Sequence, residues 1–220
     1  MVASEGYGYR RGQMVEALRR SGIRDERVLA AMTEVPRHMF VPSEYRHQAY
    51  SEDVSINIGC GQTISQPRIV ALMTEAAQVG PEDQVLEVGT GSGYQAAVLA
   101  QLARFVFTVE RFPALAREAK RRLDSLDVDN VSVKVMDGSL GWRAQGPFRA
   151  ILVTAAAPAA PHALLDQLVD GGRLVVPLGE RDRQVLTVIE RRGARRVVAH
   201  LQSVTFVPLV GRDGFSEEER

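Results

Sequence analysis

The chain has 220 residues, of which 45% are hydrophobic and 25% charged, and its 27 basic residues balance 27 acidic ones. At about 150 residues per domain the length predicts one domain plus an extension, and the composition excludes a disordered, collagen-like or coiled-coil chain. The balanced charge argues against a dedicated nucleic-acid binder, the single Cys60 excludes a disulfide framework or multi-cysteine zinc site, and no apolar run reaches the ~18 residues of a membrane span.

The segment Met1–Gly6 has no charged-then-apolar leader pattern, which predicts a cytoplasmic protein. Residues 1–80 read as a helical and irregular extension. Met14, Val15 and Leu18 recur at helical spacing, and a second short helix fits Asp25 to Thr33 with Val28, Leu29 and Met32 on one face. Pro36 and Pro42 forbid a continuous helix through Val35–Pro42. Residues 51–66 read as a long connection containing Gly59 and Gly61, and a helix starts at Pro67 and runs to about Val79.

From residue 81 to 220 the texture changes to short apolar runs alternating with helical segments. Strands are expected at Gln84–Val88, Phe105–Val109, Val131–Val135, Ala150–Val153, Arg173–Val176, Val185–Glu190 and Val197–Phe206. Helices are expected at Tyr94–Ala103, Pro113–Leu126 and Pro161–Val169. This alternation predicts an α/β fold, a doubly wound and mostly parallel seven-stranded sheet of Rossmann-like type. The final strands have no long helix between them, so at least one is expected to run antiparallel at an edge. The tail Glu217–Arg220 reads as a solvated terminus.

Three features follow three successive strands. Val85-Leu86-Glu87-Val88-Gly89-Thr90-Gly91-Ser92-Gly93 is a strand ending in a glycine turn that opens a helix. Glycines let the backbone turn sharply and approach a ligand closely. The Gly-x-Gly-x-Gly spacing is not the Gly-x-Gly-x-x-Gly of dinucleotide enzymes, and the turn could equally join strand to helix without a ligand. Glu110, next to Arg111, closes the following strand, where a carboxylate can accept hydrogen bonds from ribose hydroxyls or simply be solvated. Asp137-Gly138 follows the third strand, where Asp137 could meet an adenine amino group or form an ordinary Asp-Gly turn. The four histidines show no metal-ligand spacing, and no metal is expected.

This combination resembles the class I S-adenosylmethionine-dependent methyltransferases. Ala150–Thr154 resembles their fourth-strand segment, and Gly171-Gly172-Arg173-Leu174-Val175-Val176-Pro177 the turn and strand after it. Two further stretches, Val35-Pro36-Arg37-His38-Met39-Phe40-Val41-Pro42 and, more specifically, Gly59-Cys60-Gly61-Gln62-Thr63-Ile64-Ser65-Gln66-Pro67, are similar to the protein-L-isoaspartate (D-aspartate) O-methyltransferase family. The resemblance spans roughly Met14 to Val210. Departures fall at Asn57, where many relatives carry proline, at Cys60 and at Val210.

The resemblance implies methyl transfer from S-adenosyl-L-methionine to the free carboxylate of isoaspartyl residues, with S-adenosyl-L-homocysteine as product. It implies Ser65 as the active-site residue and Thr63, Ile64, Glu87, Gly89, Gly91, Gly93, Glu110, Arg111, Asp137, Gly138 and Thr154 around the cofactor. Against this, Ser65 could serve only as a helix cap two residues before Pro67. The implied partners are isoaspartyl-containing proteins and peptides, with no nucleic acid or membrane, and the chain is expected to be a monomer. Two alternatives compete: a methyltransferase of the same fold acting on another peptide or small molecule, and a cofactor-binding adaptor without turnover. A nucleic-acid amino-methylase fits poorly, because Thr154-Ala155-Ala156-Ala157-Pro158 lacks the acidic or Asn plus Pro-Pro-aromatic pattern.

Overall fold

The computed structural model describes residues 2–52 and 54–216, with side chains from residue 6 onward; the Glu217–Arg220 tail lies outside the described residues. The first helix, α1 (Val2–Arg20), begins earlier than the periodicity of Met14, Val15 and Leu18 required. Helix α2 (Glu26–Glu34) starts where Asp25 caps it, accepting a hydrogen bond from Arg27 N at 2.9 Å. Its buried face is Val28, Leu29, Ala31 and Met32. Pro36 and Pro42 break the chain into two short 3-10 turns, Arg37–Phe40 and Ser43–Gln48.

The expected long connection is instead an antiparallel hairpin of β1 (Ile56–Gly59) and β2 (Gln62–Ile64). Gly59, Cys60 and Gly61 all take positive φ at its turn (98°, 53° and 69°), which is why the two glycines stand there. Helix α3 (Pro67–Ala77) follows directly, with Gln66 as its N-cap.

Beyond residue 81 come β3 (Gln84–Val88), α4 (Tyr94–Ala100), β4 (Phe105–Glu110), α5 (Pro113–Ser125), β5 (Val131–Val135), β6 (Phe148–Val153), α6 (His162–Leu165), β7 (Leu168–Gly179), β8 (Gln184–Arg192) and β9 (Arg195–Val204). The seven strands from β3 onward form one sheet in the order β5-β4-β3-β6-β7-β8-β9. The first five run parallel; β8 and β9 are antiparallel additions, so β9 is the exposed edge. Strand succession reverses between β3 and β6, the switch point at which open α/β sheets leave a crevice.

Alternation along the strands feeds two cores. Val85, Val106, Ala150, Leu152 and Val175 face one side and share a cluster with Leu18, Leu29, Met32 and Met73 from α1–α3. Leu86, Val109, Ile151, Leu174 and Val176 face the other, against Phe148 and Leu164. Each of the valine, leucine, isoleucine, methionine and phenylalanine side chains contributes about 1.5–3 kcal/mol on burial. The extension therefore shares one of the sheet's two apolar cores.

Three further expectations fail. The helix over Pro161–Val169 is only α6, because Leu168 already pairs with Phe148, and Phe148 N donates to Gln167 O at 2.7 Å. The Gly171-Gly172 pair is not a turn before the strand but an irregularity inside β7: Phe148 faces Leu168, whereas Ala150 faces Arg173. The last strand also ends at Val204, short of Phe206.

Candidate active site

β3 delivers the chain to Gly89, Gly91 and Gly93, with φ of 99°, 52° and 90°. The turn is pinned by its own backbone: Gly89 N and Thr90 N donate to Val109 O at 2.8 and 3.2 Å, and Gly93 N donates to Thr90 O at 2.8 Å. A Cβ at Gly89 would collide with Thr154 Oγ1, and one at Gly91 would lie 3.3 Å from Ile58 Cδ1. The glycines thus leave room on one side for Thr154, at the end of β6, and on the other for the β1–β2 hairpin.

Acids surround this turn. Glu110 accepts from Gly91 N and Phe112 N, each at 2.9 Å. One bond to each oxygen leaves further acceptor capacity on the carboxylate. Arg111 lines the same cavity, along with Gly89, Gly91, Gly138 and Thr154. Thr154 is turned inward, its hydroxyl donating to Gly89 O at 2.7 Å. Asp137 accepts from Ser139 N and Ser139 Oγ at 2.9 and 2.7 Å and from Arg212 N at 2.9 Å. Both Asp137 oxygens thus hold a 3-10 turn and the C-terminal segment, in line with the Asp-turn alternative. Gly138 is required by contact: a Cβ there would stand 2.5 Å from Val88 Cγ1.

Glu87 is fully buried, and its register partner on β4 is Thr108. Thr108 Oγ1 donates to Glu87 Oε2 at 2.5 Å and shares a 2.7 Å hydrogen bond with Thr90 Oγ1. Glu87 Oε1 has no partner among the described residues. Burial pushes the carboxyl pKa up to about 8; the Thr108 hydrogen bond opposes this and the Glu110 charge adds to it. Glu87 is therefore mostly neutral at pH 7 as the structure stands. It lines a small cavity with Thr63, Ile64, Ser65, Gly89, Gly91 and Thr154.

The opposite wall is the hairpin. Thr63 is exposed, Ile64 is buried at 4%, and Ser65 is half-buried. Among the described residues Ser65 caps no helix, since Gln66 is the N-cap of α3. Ser65 faces both the small cavity beside Glu87 and a larger cleft of about 700 Å³ that runs past Arg68 and Gln202 to Phe206. The structure thus gathers Thr63, Ile64, Ser65, Glu87, Gly89, Gly91 and Thr154 around one space, with Glu110, Arg111 and Gly138 in the adjoining cavity. Gly93 sits behind the turn, where a Cβ would lie 3.2 Å from Ala119 Cβ. Asp137 lies further out, in a cavity with Arg111 and Val210.

Sequence reasoning missed Thr108 and Thr90, whose signal was polar residues beside apolar strand runs. The C-terminal segment, noted in the sequence for Val210, supplies a wall: Leu209 N donates to Ala156 O at 2.7 Å, and Val207–Val210 line the cavity above β6.

A glycine turn at the switch point of a parallel sheet, walled by acids at the ends of neighbouring strands, defines a class I S-adenosylmethionine-dependent methyltransferase fold. The sequence profile of "Protein-L-isoaspartate(D-aspartate) O-methyltransferase" matches residues 9–214. A protein-L-isoaspartate O-methyltransferase of Parvibaculum lavamentivorans is 52% identical over 209 residues, covering 94% of this chain and 93% of that protein. One from Methanoregula boonei is 53% identical over 194 residues, covering 88% and 89%. A solved structure of the Plasmodium falciparum protein, in complex with S-adenosyl-L-homocysteine, superposes with a TM-score of 0.77 at 26% identity, covering 90% of this chain and 97% of that one. The chain belongs to the protein-L-isoaspartate (D-aspartate) O-methyltransferase family.

Proposed function

We propose that this enzyme transfers a methyl group from S-adenosyl-L-methionine to the free carboxylate of L-isoaspartyl residues in damaged proteins and peptides. The carrying observation is that Thr63, Ser65 and Thr154 line both the small cavity beside Glu87 and the 700 Å³ cleft open to solvent. A group held in one is separated from a chain lying in the other by the shared wall of Thr63, Ser65 and Thr154.

The residues fit the cofactor. The unpartnered Glu87 Oε1 suits an ammonium such as that of an amino-acid tail, and the glycine turn leaves space that side chains would fill. The remaining acceptor capacity of Glu110 suits a ribose diol. Thr63, Ile64, Arg111, Gly138 and Thr154 complete the walls, and Asp137 holds the outer rim. When bound, S-adenosyl-L-methionine supplies a methyl group made electrophilic by its sulfonium.

A substrate carboxylate of ordinary pKa is about 99.9% ionised at pH 7, so it needs no general base. Its oxygen lone pair forms the new O–C bond as the C–S bond breaks and the pair returns to sulfur. The Ser65 hydroxyl orients the carboxylate by donating a hydrogen bond and takes no covalent part. Holding the two groups in line supplies up to about 7–11 kcal/mol. The following backbone nitrogen then attacks the ester carbonyl and gives up its proton as methanol departs, a better leaving group than the oxide of a free carboxylate, and water opens the resulting succinimide partly to normal aspartate.

We further propose that D-aspartyl sites are accepted as a second substrate class and that residues 1–80 act as the substrate-side element on a core of 81–220. The enzyme works as a cytoplasmic monomer that does not act on nucleic acid; the balanced charge supports that last point, and among the described residues no helix is long and apolar enough to cross a membrane. The test is labelled methyl transfer to paired isoaspartyl and aspartyl peptides. Labelling of the isoaspartyl peptide alone is expected; turnover only on another substrate, or binding without turnover, overturns the reading.

A further inference from the structure

The Val35–Pro42 stretch supplies no group to the reaction as derived above, yet it contains Arg37, a fully buried cation. Arg37 Nε donates to Ala49 O at 2.7 Å, and Nη2 donates to Ser65 O at 2.6 Å. The guanidinium carbon lies 4.6 Å from the centroid of the Tyr94 ring. No carboxylate bonds it among the described residues; the titratable groups facing it are the phenols of Tyr94 and Tyr50. Burial lowers its pKa, but a guanidinium starts so high that it stays protonated.

Taking a cation out of water without a counter-charge is costly, and an apolar side chain of similar volume would serve packing as well or better. The forked donor explains part of its presence. Two carbonyls from segments 12 and 28 residues away in sequence are held by one rigid plane. The unneutralised charge needs a second reason, and its Nη2 donates to the carbonyl of Ser65, the residue that lines both cavities.

We propose that Arg37 is a positioning residue of the substrate side: it clamps Ser65 through the Ser65 carbonyl, and its unpaired charge provides the positive potential that receives the substrate carboxylate. Methylation converts an anion into a neutral ester, so the same potential that draws substrate in gives no hold on product. This rests on the isoaspartyl reading for the identity of the anion but not for the clamp.

The experiment compares wild type with Arg37→Met and Arg37→Lys. Amide hydrogen exchange is read at residues 62–66 and at 84–93. Binding is read for an isoaspartyl peptide and for its carboxamide counterpart, both in the presence of S-adenosyl-L-homocysteine. In Arg37→Met, exchange should rise at 62–66 but not at 84–93, S-adenosyl-L-homocysteine affinity should stay within about twofold, and the preference for carboxylate over carboxamide should fall about tenfold. Arg37→Lys keeps the charge without the fork, so it should retain the preference and lose protection at 62–66. Unchanged exchange at 62–66, or equal weakening of both peptides, overturns the proposal. If Arg37→Met does not fold, the lysine variant decides alone: loss of protection with retained preference supports the proposal, and any other pattern overturns it. Failure of wild type to methylate the isoaspartyl peptide would sink the functional reading, while the exchange data would still judge the clamp.

Discussion

The turn Gly89–Gly93 and the segment Thr63–Ser65 face the same cavity but are held in place by different means. The turn is set by its own backbone, with positive φ at three glycines and hydrogen bonds to Val109 O on the neighbouring strand. The Thr63–Ser65 segment belongs to a two-stranded hairpin too short to hold itself, and its end is fixed from outside by the Arg37 side chain. The turn, which we propose as the donor side, is thus set wherever the sheet forms, whereas the hairpin, the proposed acceptor side, depends on packing between distant segments. Changes on the two sides should damage different steps.

The largest expected effect is Gly89→Val. The positive φ and the collision with Thr154 forbid the side chain, so S-adenosyl-L-homocysteine binding measured by calorimetry should weaken by more than about a hundredfold. Near-normal affinity would show that the turn is not the donor site. Next, Ser65→Ala should lower kcat by roughly a hundredfold and leave cofactor affinity within about twofold. Equal turnover would remove Ser65 from the mechanism, and a matched loss of affinity would merge the two sides. Glu110→Ala should then weaken cofactor binding about tenfold to a hundredfold by removing charged acceptors, with little change in peptide KM once cofactor saturates.

Glu87 gives a pH-dependent test of the donor side. Its folded pKa, near 8, stands above its unfolded value of 4.5. The folded protein therefore binds the proton more tightly, and this group's stabilising contribution, complete below pH 4.5, declines as pH rises toward 8. In Glu87→Gln that part of the slope in thermal stability should vanish. If the carboxylate meets a cofactor ammonium, binding at pH 7 should release close to one proton, seen as a dependence of calorimetric heat on buffer ionisation enthalpy. No proton release would place the ammonium elsewhere. The smallest effect is the control Asp25→Ala, which removes the cap of α2, remote from both walls, and should cost about 1 kcal/mol by chemical denaturation with kcat/KM unchanged.

Features that rest on local chemistry were legible in the chain. The strand over Gln84–Val88, the glycine turn and the helix from Tyr94 follow from apolar runs and backbone freedom within ten residues. The seven-strand count and the antiparallel edge followed from the same texture. The hairpin in residues 51–66 escaped because its strands have four and three residues, too few for alternation to register. The helix at Pro161–Val169 was overcalled because its apolar spacing also suits a strand, and sheet pairing at Leu168 took the backbone first.

Side-chain environments divide the same way. Glu110 stood out as the acid closing its strand and Glu87 was implied by the family resemblance, but nothing in their spacing distinguished a neutral buried carboxyl from one hydrogen-bonded at a loop. That difference arises because Glu87 points into the sheet's packed face beside Thr108, while Glu110 lies at the strand end and accepts from the amides of Gly91 and Phe112. Arg37 was visible only as part of a motif, since its partners lie 12 and 28 residues away. Sequence by itself determined the fold class and the glycine turn, because backbone conformation and hydrophobic period are local properties, while the reacting chemistry came from the family resemblance of the motifs. Tertiary structure alone decided which charges are buried, which carbonyls they clamp and which wall Ser65 forms, because solvent exclusion and hydrogen-bond partners are set by segments that meet only when the chain has folded.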